Sequence, residues 1–121
     1  FMDRLYDKNI NRIFVVEGFF DAYHVNGIAV MENYLTKEQI ELLNKCDKPK
    51  IVVPDRKGDS TKLISMALQN DWSISIPDFD HDIKDVTECV MRYGRLYTAK
   101  LISNSIYYGD TARIMIKLKK V

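Results

Sequence analysis

Acidic side chains follow directly on apolar runs in this sequence, at a spacing that suits hard cations. The run "IFVV" (13–16) leads into Glu17 and "KIVVP" (50–54) into Asp55. Asp21 lies one helical turn beyond Glu17, Asp59 lies four residues beyond Asp55, and "DFDHDIKD" supplies Asp78, Asp80, Asp82 and Asp85. In an open parallel sheet the crevice beyond the carboxyl ends of the strands collects functional groups, so Glu17 and Asp55 are expected to face one crevice. Carboxylates converging there from three loops repel one another unless a cation neutralises them, and oxygen donors with room for water suit Mg2+ or Mn2+. Gly18 removes a side chain where a ligand or a second backbone could approach. Acids near helix N-termini also serve as caps, and Asp85 and Asp59 fit that role too.

The elements that must position these acids alternate along the chain. Ile13 to Val16 reads as a strand buried on both faces, and "GFFDAYHVN" after it has helical spacing at Phe19, Ala22, Tyr23 and Asn26. Ile28 to Met31 reads as a second strand. The helix after it opens on a Thr36/Gln39 capping box and carries Ile40, Leu42 and Leu43. Lys50 to Val53 forms a third strand closed by Pro54, and Leu63, Ile64, Ala67 and Leu68 mark one face of the following helix. "WSISI" alternates as a fourth strand, and "DVTECVMRYG" is a helix opening at Asp85 and closing at Gly94. Four βα units in succession predict an α/β fold, a mostly parallel sheet with helices on both faces and the strands ending at Val16 and Val53 close together. Arg95 to Ser105 reads as a further helix. The alternation of Ala112, Ile114, Ile116 and Leu118 with Arg113, Met115, Lys117 and Lys119 predicts a half-exposed edge strand. Phe19, Phe20, Tyr23 and Trp72 are expected in the core.

Composition narrows the function classes. A chain of 121 residues with 46% hydrophobic character suffices for one domain, residues 1–121, and hardly for two. Eighteen Lys and Arg against seventeen Asp and Glu give no global basic signal, so any nucleic-acid contact must be local. Its candidates are Arg56, Lys57 and Lys62 around the end of the third strand, with Arg92, Arg95 and Lys100 further on. Cys46 and Cys89 form no CxxC or Cys/His cluster, which argues against a disulfide framework and a structural zinc site and fits a reducing cytosol. No apolar run reaches the roughly 18 residues of a membrane span. His24 and His81 have no Ser or Cys constellation beside them. The chain starts at Phe1 and reads as a fragment of a longer protein.

The segment "VVEGFFDA" resembles the first motif of the TOPRIM domain of primases, an apolar strand followed by Glu, Gly, two variable residues and Asp-Ala. "IVVPDRKGDS" resembles its second motif, in which a strand runs into Asp-x-Asp before a small residue. "DIKDVTECVMRYGR" is similar to the primase segment after the fourth strand, and the run through "GDTARIMIKL" is similar to the C-terminal region of tailed-phage primases of the T-even type. The resemblance covers most of the chain. It implies a TOPRIM-like, Rossmann-related fold and a DNA primase: synthesis of RNA primers from ribonucleoside triphosphates on single-stranded DNA, with a replicative helicase and further primase modules as partners. By position it implies that Glu17 is the general acid/base or metal-organising carboxylate and that Asp55 is a magnesium ligand. Asp21 and Asp85 match further acidic positions, with Lys84 beside the latter.

One position departs from the pattern. The second Asp of Asp-x-Asp falls on Lys57, which cannot ligate a metal. Either Asp59 substitutes through a rearranged loop around Gly58, or Lys57 supplies a fixed charge or a phosphate contact, or the site is weakened. The same acids also fit a TOPRIM nuclease or topoisomerase, and the Lys57 departure fits a metal-deficient docking or nucleic-acid-binding module.

Overall fold

The computed structural model describes residues 3–30, 35–56 and 60–119. Met31, Lys57, Gly58 and Asp59, to which expectations were attached, lie outside the described residues. After a short 3-10 turn at Asp3–Tyr6, the elements run β1 Ile13–Val16, α1 Phe19–Val25, β2 Ile28–Ala29, α2 Lys37–Lys45, β3 Lys50–Val53, α3 Thr61–Gln69 and β4 Ser73–Ser75. They continue with α4 Val86–Tyr93, α5 Arg95–Ser103, β5 Ile106–Tyr107 and α6 Gly109–Leu118. The five-stranded sheet has the order β2-β1-β3-β4-β5, parallel except for β5, which runs antiparallel to β4 at the edge. β1 and β3 are hydrogen-bonded neighbours with Val16 opposite Val53. Glu17 and the Pro54–Asp55 turn therefore leave the sheet side by side.

Alternation along the strands divides the core into two layers. Ile13 and Val15 of β1, Val52 of β3 and Ile74 of β4 pack with Leu43 of α2, Leu63 and Ala67 of α3 and Ala112 of α6. Val16, Ala29 and Val53 pack with Ala22 of α1, Val86 of α4 and Ile102 of α5. Both faces of the parallel strands are thus covered, which is why these strands read as continuous apolar runs. Local signals match the periodicity. Thr36 Oγ1 accepts from Gln39 N at 3.1 Å while Thr36 N donates to Gln39 Oε1 at 2.9 Å, the reciprocal box that starts α2. Leu43 and Ile40 turn inward on that helix, and Leu42 lies outside. Trp72 is buried as expected, its indole N–H donating to Asn44 Oδ1 at 2.8 Å. At Gly27 the chain returns so tightly from α1 that a Cβ would lie 2.5 Å from the carbonyl oxygen of Phe14.

Two expectations are corrected. Residues 112–118 are helical, and the edge strand is the two-residue β5 just before them. Ala112, Ile114, Ile116 and Leu118 do alternate with more polar residues, but the face that meets the core is Ala112, Met115 and Ile116, at i, i+3 and i+4. Ile114 and Leu118 fall on the outer face of α6 at 57% and 69% exposure. Phe19, Phe20 and Tyr23 are not core residues: they are 70%, 67% and 61% exposed. The inward face of α1 is Asp21, Ala22 and the partly buried Val25, and this rotation aims Asp21 at the strand ends while turning the three rings outward.

The helical register of α6 can be tested with two substitutions. Ile114→Glu is expected to change unfolding free energy by no more than about 0.5 kcal/mol, as for exposed positions. Ala112→Leu, overpacking a site with no exposed surface, is expected to cost about 1–3 kcal/mol. Urea unfolding followed by circular dichroism measures both. A severe loss from Ile114→Glu would restore the strand reading.

Candidate functional site

The acids meet where β1, β3 and β4 end. Glu17 follows β1, Asp55 follows β3, Asp21 sits in the first turn of α1, and Asp85 is the N-cap of α4 in the connection from β4. One carboxylate oxygen from each of Asp21, Asp55 and Asp85 lies within 4.8 Å of the others, the one such group of potential metal ligands among the described residues. Hydrogen bonds anchor one oxygen of Asp21 and one of Asp85. Asp21 Oδ1 accepts from the backbone N–H of Thr87 at 2.8 Å and from its hydroxyl, and Asp85 Oδ1 accepts from Glu88 N at 2.8 Å. Asp85 is therefore a helix cap and a member of the cluster at once.

Glu17 belongs to the same crevice in a different capacity. Its Oε2 accepts from the backbone N–H of Asp55 at 2.6 Å and from Ser60 Oγ at 2.9 Å. Ser60 Oγ also lies 3.2 Å from Asp55 O, closing the loop. The next residue ties a third loop in, with Arg56 N donating to Lys84 O at 2.7 Å. Gly18 is small for an intramolecular reason: a Cβ there would lie 3.0 Å from Asp21 Oδ2. Asp21 is 4% exposed, with Asp55 and Asp85 half-buried.

Electrostatics follow from the packing. Burial first, then the charges of Glu17, Asp21 and Asp85, push the Asp55 carboxyl up to about 7, against a smaller opposing effect of Lys84. Burial also raises Asp85, partly offset by its capping hydrogen bond from Glu88. Two carboxyls that resist ionisation side by side are the behaviour expected of oxygen donors whose charge a cation would neutralise.

The other expected site residues disperse. Asp78 pairs with Lys119 at 2.9 Å, and Arg92 pairs with Asp82 at 2.9 Å and Asp80 at 3.7 Å, so those three acids of the fourth loop form surface ion pairs outside the cluster. Arg56 donates from its guanidinium to the carbonyls of Pro77 at 2.9 Å and Lys119 at 3.1 Å. Lys62, at the start of α3, lines the groove between α2 and α3. Lys84 remains at the crevice, 56% exposed and 3.9 Å from Glu88 Oε2. Asp59 and Lys57 lie outside the described residues. Sequence reasoning missed Thr87 and Ser60. Ser60 stood out only as the small residue closing the second motif, and Thr87 carried no signal because its partner is 66 positions away.

The raised Asp55 fixes a pH dependence of stability. The folded chain keeps this proton to about pH 7, whereas an unfolded aspartate releases it near pH 4. The folded state therefore binds more protons between those limits, and stability falls as pH rises through that window. In chelator-treated protein, Asp55→Asn is expected to flatten that fall and to raise stability at pH 8 by about 1–2 kcal/mol, a figure reduced for the carboxyl's partial exposure. Urea unfolding across pH 4–8 measures it; the same slope in the variant and the parent would rule out Asp55 as its source.

The fold is similar to that of a known protein. It aligns with the crystal structure of the zinc-binding and RNA polymerase domains of the Aquifex aeolicus primase at a TM-score of 0.66 and 24% identity. The alignment covers 96% of this chain and 32% of that one, so this chain spans about a third of the length of the structure it matches. No protein-family model matches the sequence, and no curated protein does. At this identity the likeness establishes a shared architecture: the mostly parallel, helix-flanked sheet described above is a primase-like fold.

Proposed function

We propose that this chain is the catalytic TOPRIM subdomain of a DNA primase of the phage, T-even-like type. On this reading residues 1–121 are one domain of a longer protein that synthesises RNA primers on single-stranded DNA by metal-dependent nucleotidyl transfer. The observation that carries the proposal is the convergence of Asp21 from the first turn of α1, Asp55 from the turn after β3 and Asp85 from the start of α4 at the carboxyl ends of the strands. The primase-like fold supports it, as do the motifs around Glu17 and Asp55.

The three carboxylates fit Mg2+ or Mn2+ by donor type and spacing. Such an ion, when bound, supplies positive charge to orient a nucleoside triphosphate and to neutralise charge developing at the transferring phosphorus. The protein's own part is positioning. Thr87 and the N-terminus of α4 hold Asp21 and Asp85 in place, and Glu17 fixes Asp55 through its backbone N–H. Glu17 also brings a carboxylate beside the ligands, where it serves as general base toward the attacking hydroxyl. Lys84 at the rim offers a contact for a substrate phosphate. Template DNA, ribonucleoside triphosphates and a replicative helicase are the partners this reading calls for, in the cytoplasm of a bacterial host.

Glu17→Gln separates chemistry from folding. The glutamine carbonyl can accept both bonds that Glu17 accepts, so the domain is expected to keep its stability. Ribonucleotide incorporation on single-stranded DNA by the full-length protein, with saturating Mg2+, is expected to fall at least about a hundredfold, the scale of a positioned acid/base group. Asp55→Asn is expected to lose as much. Near-normal priming by folded Glu17→Gln would reduce Glu17 to a structural acceptor. Normal priming by both variants would remove the catalytic assignment.

A further inference from the structure

At the opposite end of β1 from the acids lies a cavity of about 250 Å³ between α1 and α5. Its floor is aliphatic, formed by Val25, Val90 and Ile102, with the exposed Ala99 and Leu96, the latter at 90% exposure, on its lip. Two arginines flank it. Arg12 lies over the ring of Phe14, 5.0 Å from its centroid, and donates to Ser103 Oγ at 2.6 Å, while Arg95 donates to the carbonyl of His24 at 3.3 Å. Among the described residues no carboxylate lines the cavity. His24 lines it as well, and its Nδ1 is the one buried side-chain nitrogen or oxygen without a hydrogen-bond partner among the described residues.

A buried imidazole nitrogen without a partner costs on the order of 1–3 kcal/mol unless a bound group satisfies it. Two guanidinium groups beside an apolar hollow, with no acid among its lining, complement a ligand that is apolar at its centre and anionic at its edge. Nucleobases fit this hollow poorly. Their recognition calls for free aromatic faces, and the ring of Phe14 is already covered by Arg12. We infer that the cavity between α1 and α5 is a docking site for an acidic peptide segment of another protein or module, which inserts an apolar side chain over Ile102 and sets carboxylates against Arg12 and Arg95. Docking there would also bury Leu96, which stands 90% exposed on the lip. This site is independent of the acid cluster and of the reaction proposed for it.

The test is selection of a random peptide display library on the immobilised chain, followed by affinity measurement of the enriched peptides made synthetically. Arg95 and Leu96 are exposed, so Arg95→Glu and Leu96→Asp leave the fold intact, which circular dichroism checks. The expected result is enrichment of peptides that combine acidic residues with a Leu or Phe anchor. Each substitution is expected to weaken their binding by at least about tenfold, the loss typical of a central anchor or a desolvated charge pair. The side-chain 15N resonances of His24 are expected to shift when peptide is added. No enrichment, enriched peptides without acidic residues, or binding indifferent to both substitutions would overturn the inference. So would a loss of oligo(dT) affinity on Arg95→Glu with no effect on any peptide, which would make the surface a nucleic-acid contact.

Discussion

Mutual repulsion among Asp21, Asp55 and Asp85 is the constraint around which the strand ends are organised. Three carboxylates within 4.8 Å, one of them almost fully buried, cannot all carry charge cheaply in the absence of a cation. The fold meets that cost with hydrogen-bond donors fixed in the backbone. Thr87 N–H serves Asp21 and Glu88 N–H serves Asp85, both from the first turn of α4, whose unpaired amides favour negative charge. Among the described residues no such backbone donor serves the Asp55 carboxylate, and burial with the neighbouring charges pushes that carboxyl up to about 7. A cation held among the three carboxylates would offset that repulsion.

That arrangement persists because the loops are cross-linked to one another. Glu17 joins the end of β1 to the backbone of Asp55 and to Ser60, Arg56 N–H joins the same loop to Lys84, and Thr87 joins α4 to α1. Beneath them lies a sheet in which β1 and β3 are paired in register along four residues each. Packing fixes the strands, the strands fix the loops, and the loops hold the charges. The cavity between α1 and α5 sits at the other end of that scaffold, so a partner docked there would leave the acids uncovered.

Much of this was legible in the sequence, for reasons that are physical. Apolar runs of four residues ending in an acid mark buried parallel strands, and the strand-end rule then places Glu17 and Asp55 in one crevice. The Thr36/Gln39 box and the Asp85 cap are local signals, and local signals survive into the structure. What could not be read depends on rotation or on distant partners. The stretch 112–118 satisfies periods of 2 and 3.6 together, and only packing of Ala112, Met115 and Ile116 against the core selects the helix. Phe19, Phe20 and Tyr23 look like a core face until Asp21 is required to turn inward, which rotates them to solvent. The acids of "DFDHDIKD" look equivalent in sequence. Arg92 and Lys119 divide them, taking Asp78, Asp80 and Asp82 into surface pairs and leaving Asp85 to the crevice.

The three converging carboxylates are proposed as a cation site, and occupancy by a metal ion is what tests it. The most direct measurement is a crystal structure of the domain grown with Mn2+ and recorded at the manganese absorption edge. An anomalous peak bounded by oxygens of Asp21, Asp55 and Asp85 is expected, at metal–oxygen distances of about 2.0–2.6 Å. A map with no peak there, or with manganese only among the surface pairs of Asp78, Asp80 and Asp82, would contradict it.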